Sequence, residues 1–245
     1  KLADDRVARF ARQLLVPGFG ELAQLRLQEA RVRAVGAPGA ASAALVYLVQ
    51  AGIGRLWLDD AEPVSPADLS GWLFHPDTVG SPRAEVARMA LAPLSRFTDV
   101  ARYPVGGVPT ATLVAATSAV QALQAAEAAR RAGVPHVVLE PDADGGSVVA
   151  IPPRAPCYAC ARSTGGAERP PTAATAALAA LAAAELVQMI ADPGGIPGRR
   201  VDLVRGIANA QATTRLAGCA CAVDPRQVAP PSSTAAQAQS PARKS

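Results

Sequence analysis

Between residues 31 and 140, short apolar runs alternate with helical stretches, and this rhythm limits the possible folds more than any other feature. Segments 31–35, 54–60, 99–105, 112–116 and 136–140 read as strands. Segments 39–51, 82–94 and 118–132 read as intervening helices, and 61–80 as a polar, proline-containing loop. Strands and helices alternating at this spacing predict a parallel sheet with helices on both faces. Two more helical stretches, 4–15 and 20–29, precede the first strand and are split at Pro17-Gly18. After residue 145 the rhythm changes. Segments 146–152, 200–206 and 211–216 read as strands, with one long helix, 172–191, between the first two. A mixed or antiparallel second half is expected.

The first strand runs into Gly36 and Gly39 and then a helix, and the second ends in Asp59-Asp60. A nucleotide-binding α/β domain grips a phosphate at such a turn. The expected fold class is therefore α/β: a Rossmann-like, mostly parallel sheet flanked by helices, with two N-terminal helices and a mixed or antiparallel C-terminal extension. A length of 245 residues suits one substantial core. We expect a single domain over 1–223, comprising helices 1–29, a nucleotide-binding half 30–145 and a C-terminal half 146–223. Residues 224–245 are rich in Pro, Ser, Ala and Gln and lack large apolar side chains, so they are expected to form a disordered tail.

Composition removes several functions. The net charge of +4 comes from scattered arginines without interleaved aromatics, which argues against nucleic-acid binding. The apolar segment 172–191 is interrupted by Thr172, Thr175, Glu185 and Gln188, so a packed helix is expected there, with no membrane association. The N-terminal residues have no apolar signal core, so a cytoplasmic location is expected, where four cysteines serve as thiols or metal ligands.

Taken in order, these stretches resemble the ThiF/MoeB family, adenylyltransferases akin to ubiquitin-activating enzymes. The similarity lies in "RFARQLLVPGFG" (9–20), "RVRAVGAPGAASAALVYLVQAGIGRLWLDD" (31–60), "VGSPRAE" (79–85) and "APCYAC" (155–160). It implies a protein that joins the C-terminal carboxylate of a ubiquitin-like or sulfur-carrier protein to AMP, with ATP and magnesium. It also implies a homo- or heterodimer with a ThiF/MoeB-like subunit. By the resemblance, Asp60 holds the ribose, and Arg12 extends into the neighbouring subunit's site. Arg83 stands where the family has a phosphate-contacting lysine, and a guanidinium does not occupy the space of an ammonium.

Other pieces of the family pattern are absent. "ADLSGW" (67–72) puts Asp68 where the family has asparagine and Gly71 where it has an arginine. "ATSA" (116–119) puts Ser118 at the position of the magnesium-binding aspartate, and a neutral hydroxyl anchors magnesium poorly. Pro38 replaces a glycine of the turn and removes an N–H that a phosphate would use, while Ala41 is a milder change. These replacements argue against ATP and magnesium, although Gly36, Gly39, Asp60 and Asp68 remain the candidate cofactor-binding positions and Arg12 and Arg83 the candidate catalytic ones.

Cys157-x-x-Cys160 and Cys219-x-Cys221 fall where the family has two zinc-binding pairs, the second one residue short. Four thiolates suit a structural zinc, with buried thiols as the alternative. No further cysteine lies in 161–171, which argues against a covalent thioester step. His75 and His136 are isolated. The leading expectation is a catalytically impaired ThiF/MoeB-like partner or binding subunit. The alternatives are an active adenylyltransferase with a remodelled site, in which Arg83, Asp60 and a partner's Arg12 suffice and the substrate or another arginine such as Arg55 fills the gap at Gly71, and a dinucleotide-dependent oxidoreductase.

Overall fold

The computed structural model describes residues 1–36, 38–116, 118–142, 145–162 and 172–222. The expected tail and most of loop 161–171 lie outside the described residues. Eight strands form one sheet in the order β3-β2-β1-β4-β5-β6-β7-β8. The first five are β1 (Arg31–Val35), β2 (Arg55–Asp59), β3 (Asp99–Arg102), β4 (Ala111–Val114) and β5 (His136–Asp142), all paired in parallel. The last three, β6 (Gly145–Ile151), β7 (Arg199–Val204) and β8 (Ile207–Ala212), continue antiparallel. The expected change from parallel to antiparallel is therefore present.

The helices are α1 (Asp4–Leu14), α2 (Gly20–Glu29), α3 (Ala43–Ala51), α4 (Arg83–Leu91), α5 (Ala119–Arg131), α6 (Tyr158–Ala161) and α7 (Thr172–Ala191). Alternation along each strand decides which face a residue serves. Val32 and Ala34 of β1 join Leu113, Val137 and Val148 in one core with α3, α4 and α7. Val35 joins Val114, Val138 and Val149 in a second core beneath α5 and α6. The small residues of α7 bring it close to the sheet, with Leu178, Ala182 and Leu186 fully buried. Its length and hydropathy would also suit a membrane span. Here it packs against α3, β5 and β6, and its buried Glu185 carboxylate takes a forked pair of hydrogen bonds from Arg199 at 2.8 and 2.9 Å.

Two boundaries differ from the sequence-based expectation in ways that matter. The last strand was expected at 211–216 and forms at Ile207–Ala212. Strands β7 and β8 make a hairpin in which Val204 pairs with Ile207, and Arg205 and Gly206 occupy the turn with φ of 51° and 83°. Positive φ at both central residues is the two-residue turn whose twist matches a hairpin. The expected helix 39–51 begins as a 3-10 turn over Gly39–Ser42, so α3 proper starts at Ala43.

Candidate functional site

Strand order reverses between β1 and β4, and the crevice outside such a reversal is where open α/β sheets bind ligands. Gly36 and Gly39 sit there, immediately after β1. Gly36 has φ +78°, and a Cβ on it would lie 2.7 Å from the Ala115 carbonyl oxygen, so β1 and β4 come together only over a glycine. Pro38 precedes the 3-10 turn with φ −73° and ψ 133°, and its carbonyl accepts the Ala41 N–H at 3.0 Å. The proline thus caps the turn from outside the helical residues, one position earlier than a first-turn proline.

Above Gly39 lies a second 3-10 turn, Pro66–Ser70. Its Asp68 is 1% exposed, and the carboxylate is surrounded by donors. Oδ1 accepts the Gly39 N–H at 2.9 Å, and Oδ2 accepts the Ser65 N–H at 2.8 Å and the Ser65 hydroxyl at 2.7 Å. The Arg83 guanidinium stands 3.2 Å from the same oxygen. Burial pushes the Asp68 carboxyl up. The Ser65 N–H and hydroxyl, Arg83 and the Gly39 N–H together outweigh that effect and hold it below its ordinary 3.8.

Arg83 is committed in the same way. Its Nη1 donates to Asp60 Oδ2 at 3.0 Å, and its Nη2 to the Pro63 carbonyl at 3.2 Å. The Arg83 and Asp60 side chains are 6% and 3% exposed. The sequence therefore placed Gly39, Asp60, Asp68 and Arg83 at one site, and the structure brings all four together, bonded to one another. Gly71 closes the same corner. A Cβ there would lie 2.1 Å from the Gly39 carbonyl oxygen and 2.5 Å from its carbon, so the position has no room for a side chain.

The other candidates are apart from this cluster. Arg12 is exposed in the last turn of α1, which is docked by Gln13 donating to Gln24 Oε1 at 2.7 Å and to the Ala51 carbonyl at 3.1 Å. Ser118 caps α5, its hydroxyl accepting the Gln121 N–H at 3.2 Å. The suggestion that Arg55 fills the gap at Gly71 fails on position. Arg55 opens β2, at the strand end opposite the glycine turn, and pairs with Asp99 at 2.8 Å. His75 is exposed and meets Asp77 at 2.8 Å. His136 is 2% exposed, and burial lowers its pKa to about 4. Its Nδ1 lies 3.1 Å from the Val134 carbonyl, and Nε2 finds no partner. A cavity of about 780 Å³ opens at the other end of the central strands, between Ala30, Pro135, Met189 and Ile196, and none of these candidates lines it.

The four cysteines converge behind α5. Cys157 lies 3.7 Å from Cys160 and 3.6 Å from Cys219, and Cys160 lies 3.6 Å from Cys221, measured between sulfurs. Four thiolates at about 2.3 Å from a tetrahedral zinc are about 3.8 Å apart, so this cluster can hold such an ion. The shortened second pair fits because Cys219 and Cys221 face different sulfurs of the first. Backbone donors also point inward: Leu216 N–H reaches Cys160 Sγ at 3.4 Å. Burial, with the neighbouring thiols, pushes Cys157 up to about 12. Burial would raise Cys221 too, but N–H and S–H donors bring it down to about 7. An ion with the charge of zinc would make thiolates of all four. Helix α6, which Cys157 caps and which carries Cys160, is tied to the sheet through Arg200, which reaches Ser147 Oγ at 2.8 Å and the Ala161 carbonyl at 3.4 Å.

The ThiF family model matches residues 10–221 of the chain. A molybdopterin-synthase adenylyltransferase of Salmonella typhimurium is 43% identical over 93 residues, 38% of this chain and 37% of that protein. An adenylyltransferase and sulfurtransferase MOCS3 of Drosophila yakuba is 38% identical over 101 residues, 41% of this chain and 22% of that protein. The matched stretches thus span well under half of either relative. Among solved structures, E. coli MccB with MccA-N7isoASN superposes with a TM-score of 0.72 at 20% identity, covering 88% of this chain and 75% of that one. PaaA gives 0.66 at 18% identity, covering 88% and 76%. At such identities these two likenesses concern the fold.

Proposed function

The chain belongs to the ThiF family, and from that premise we propose that it is a catalytically impaired member working as a partner or binding subunit. The observation that carries this reading is the closed Asp60–Arg83–Asp68 cluster over Gly39. Adenylylation brings a carboxylate up to an anionic triphosphate, so it depends on cations and N–H donors left available for the phosphates. Here the surviving cation is already paired with two carboxylates, and the Gly39 donor is used. The position of the family arginine is occupied by the approach of Gly71 to Gly39, and Ser118 is engaged as a helix cap. ATP and magnesium find few groups to hold them.

Exposed Arg12 gives the partner role specific content. Helix α1 offers its guanidinium outward, where it can complete the phosphate site of a second ThiF/MoeB-like subunit while this chain's own site stays closed. By family resemblance, the pair would act on the C-terminus of a ubiquitin-like or sulfur-carrier protein. Cys157, Cys160, Cys219 and Cys221 would hold a structural zinc, which supplies a rigid clasp between α6 and the C-terminal residues and leaves no thiol for covalent chemistry.

The test is ATP–pyrophosphate exchange by the nearest active homologue, with and without this chain. Stimulation by the wild type should fall about 10²-fold in Arg12→Ala, the typical loss when one preorganised charge-stabilising group is removed. An unchanged stimulated rate would remove the partner role. Exchange by this chain alone would favour the remodelled-enzyme reading.

A further inference from the structure

We propose that the Asp68 carboxylate is the resident occupant of a built oxyanion seat, and that cutting this side chain back lets the seat bind an exchangeable, carboxylate-sized oxyanion. The proposal rests on the reading of the glycine turn as closed to ATP and adds what closes it. The seat draws its donors from separate parts of the fold: the Gly39 N–H after β1, the Ser65 N–H and hydroxyl before the 3-10 turn, and the Arg83 guanidinium at the start of α4. All converge within 3.2 Å of the two Asp68 oxygens. Arg83 is also under-used. Its Nε is buried and finds no acceptor, although the side chain is only 6% exposed.

Such a set of donors has no apolar substitute. Buried N–H and O–H groups left without an acceptor each cost their desolvation free energy, and a buried guanidinium favours any anion that reaches it. With Asp68 in place, an incoming phosphate meets a like charge where the turn would otherwise receive it. With Asp68 shortened to alanine, Arg83 keeps Asp60 and the fold keeps one ion pair, but four donors point into a space the size of the lost carboxylate. Size then sets the ligand class. Ser70 and Gly71 lie against Gly39: a Cβ on Gly39 would come 2.7 Å from Ser70 Oγ, and a Cβ on Gly71 would come 2.1 Å from the Gly39 carbonyl oxygen. Formate fits the deleted volume, acetate adds a methyl toward the new alanine, and phosphate is larger than either.

The experiment is thermal unfolding of the full chain in wild-type, Asp68→Ala and Asp68→Asn forms, with formate, acetate or phosphate exchanged for chloride at constant ionic strength. Asp68→Ala should melt roughly 6–12 °C below wild type in chloride, given the size of the chain. Formate should return at least half of that loss with a saturable dependence, acetate less and phosphate least. Wild type and Asp68→Asn should not respond, because carboxylate and amide fill the seat. Adding Ser65→Ala to Asp68→Ala should weaken the formate response at least threefold. If Asp68→Ala does not fold in chloride, the readout becomes its refolding yield with and without formate. An equal anion response in wild type and Asp68→Ala, or none in Asp68→Ala, overturns the proposal. Phosphate outperforming formate overturns the assigned size. Tight Mg-ATP binding by wild type would instead remove the closed-turn reading, an outcome separable from the rescue pattern.

Discussion

Gly71→Ala isolates the contact that shuts the corner of the site. The glycine has φ −97°, a conformation that alanine adopts without strain, so only space is at issue. The added methyl would lie 2.1 Å from the Gly39 carbonyl oxygen, more than 1 Å inside ordinary contact, with the Ser42 hydroxyl at 3.0 Å. Both the methyl and the Gly39 oxygen belong to backbone-anchored positions, so one of the two turns must move. Overpacking of this kind costs about 1–3 kcal/mol. Moving Gly39 also stretches its 2.9 Å bond to buried Asp68, a charge-assisted bond of about 1.5–3 kcal/mol. A loss near 4 kcal/mol lowers Tm by roughly 8–16 °C in a chain of this length. The control is Gly133→Ala, where open space surrounds the glycine but φ is +67°, and the left-handed conformation alone costs about 1–2 kcal/mol. Differential scanning calorimetry on both variants reads the comparison. If Gly71→Ala melts within a degree or two of wild type, or less far below it than Gly133→Ala, the turn and the Pro66–Ser70 segment are not packed as described, and room for an arginine at 71 returns.

Two further outcomes follow from groups outside that corner. His136 is neutral in the fold with a pKa near 4, against 6.5 when unfolded. The unfolded chain therefore binds the proton first, and this contribution to stability is full above pH 6.5 and shrinks as pH falls toward 4. The whole interval amounts to about 3 kcal/mol, and urea unfolding at stepped pH should show a slope over pH 4–6.5 that His136→Asn flattens. Purified chain should contain about one zinc per molecule by elemental analysis, given four converging thiolates. Cys160→Ser should lower zinc content severalfold and expose α6 to limited proteolysis. Full occupancy in that variant would refute the four-sulfur assignment.

Much of the fold was legible because period and position carry it. The alternation of apolar runs with helical stretches announced the parallel sheet, and the polar interruptions of 172–191 announced a packed helix. The misplaced last strand came from a turn that hides its chemistry. Arg205-Gly206 serves as a two-residue hairpin turn, a task usually signalled by asparagine or aspartate before the glycine, and nothing in the apolar pattern of Ile207–Ala212 marks it as a strand. At the site, the residues were legible and their bonds were not. Ser65-Pro66-Ala67-Asp68 carries a capping signature, with Ser65 as cap, proline at the first position and an acid at the third. Reading it would have tied Asp68 to the Ser65 N–H. Ser118 also caps a helix, accepting the Gln121 N–H. Contact between Asp68 and Gly39, 29 residues apart, could come only from the tertiary structure.

The capping role changes how the aspartate at position 68 should be understood. As a replacement for asparagine beside a triphosphate, a carboxylate is a pure loss, since it adds repulsion where charge must be gathered. As a partner for Arg83 and three donors from Gly39 and Ser65 it is a gain, because those groups need an acceptor whether or not a nucleotide arrives. The two effects have opposite signs and the same origin. On the proposed reading of the turn as closed to ATP, the site stabilises the fold by supplying its own anion, and phosphate binding would need more than one added arginine. On that reading, phosphate binding would require a residue at 71 that the Gly39 carbonyl does not admit and removal of a carboxylate that accepts the Gly39 N–H.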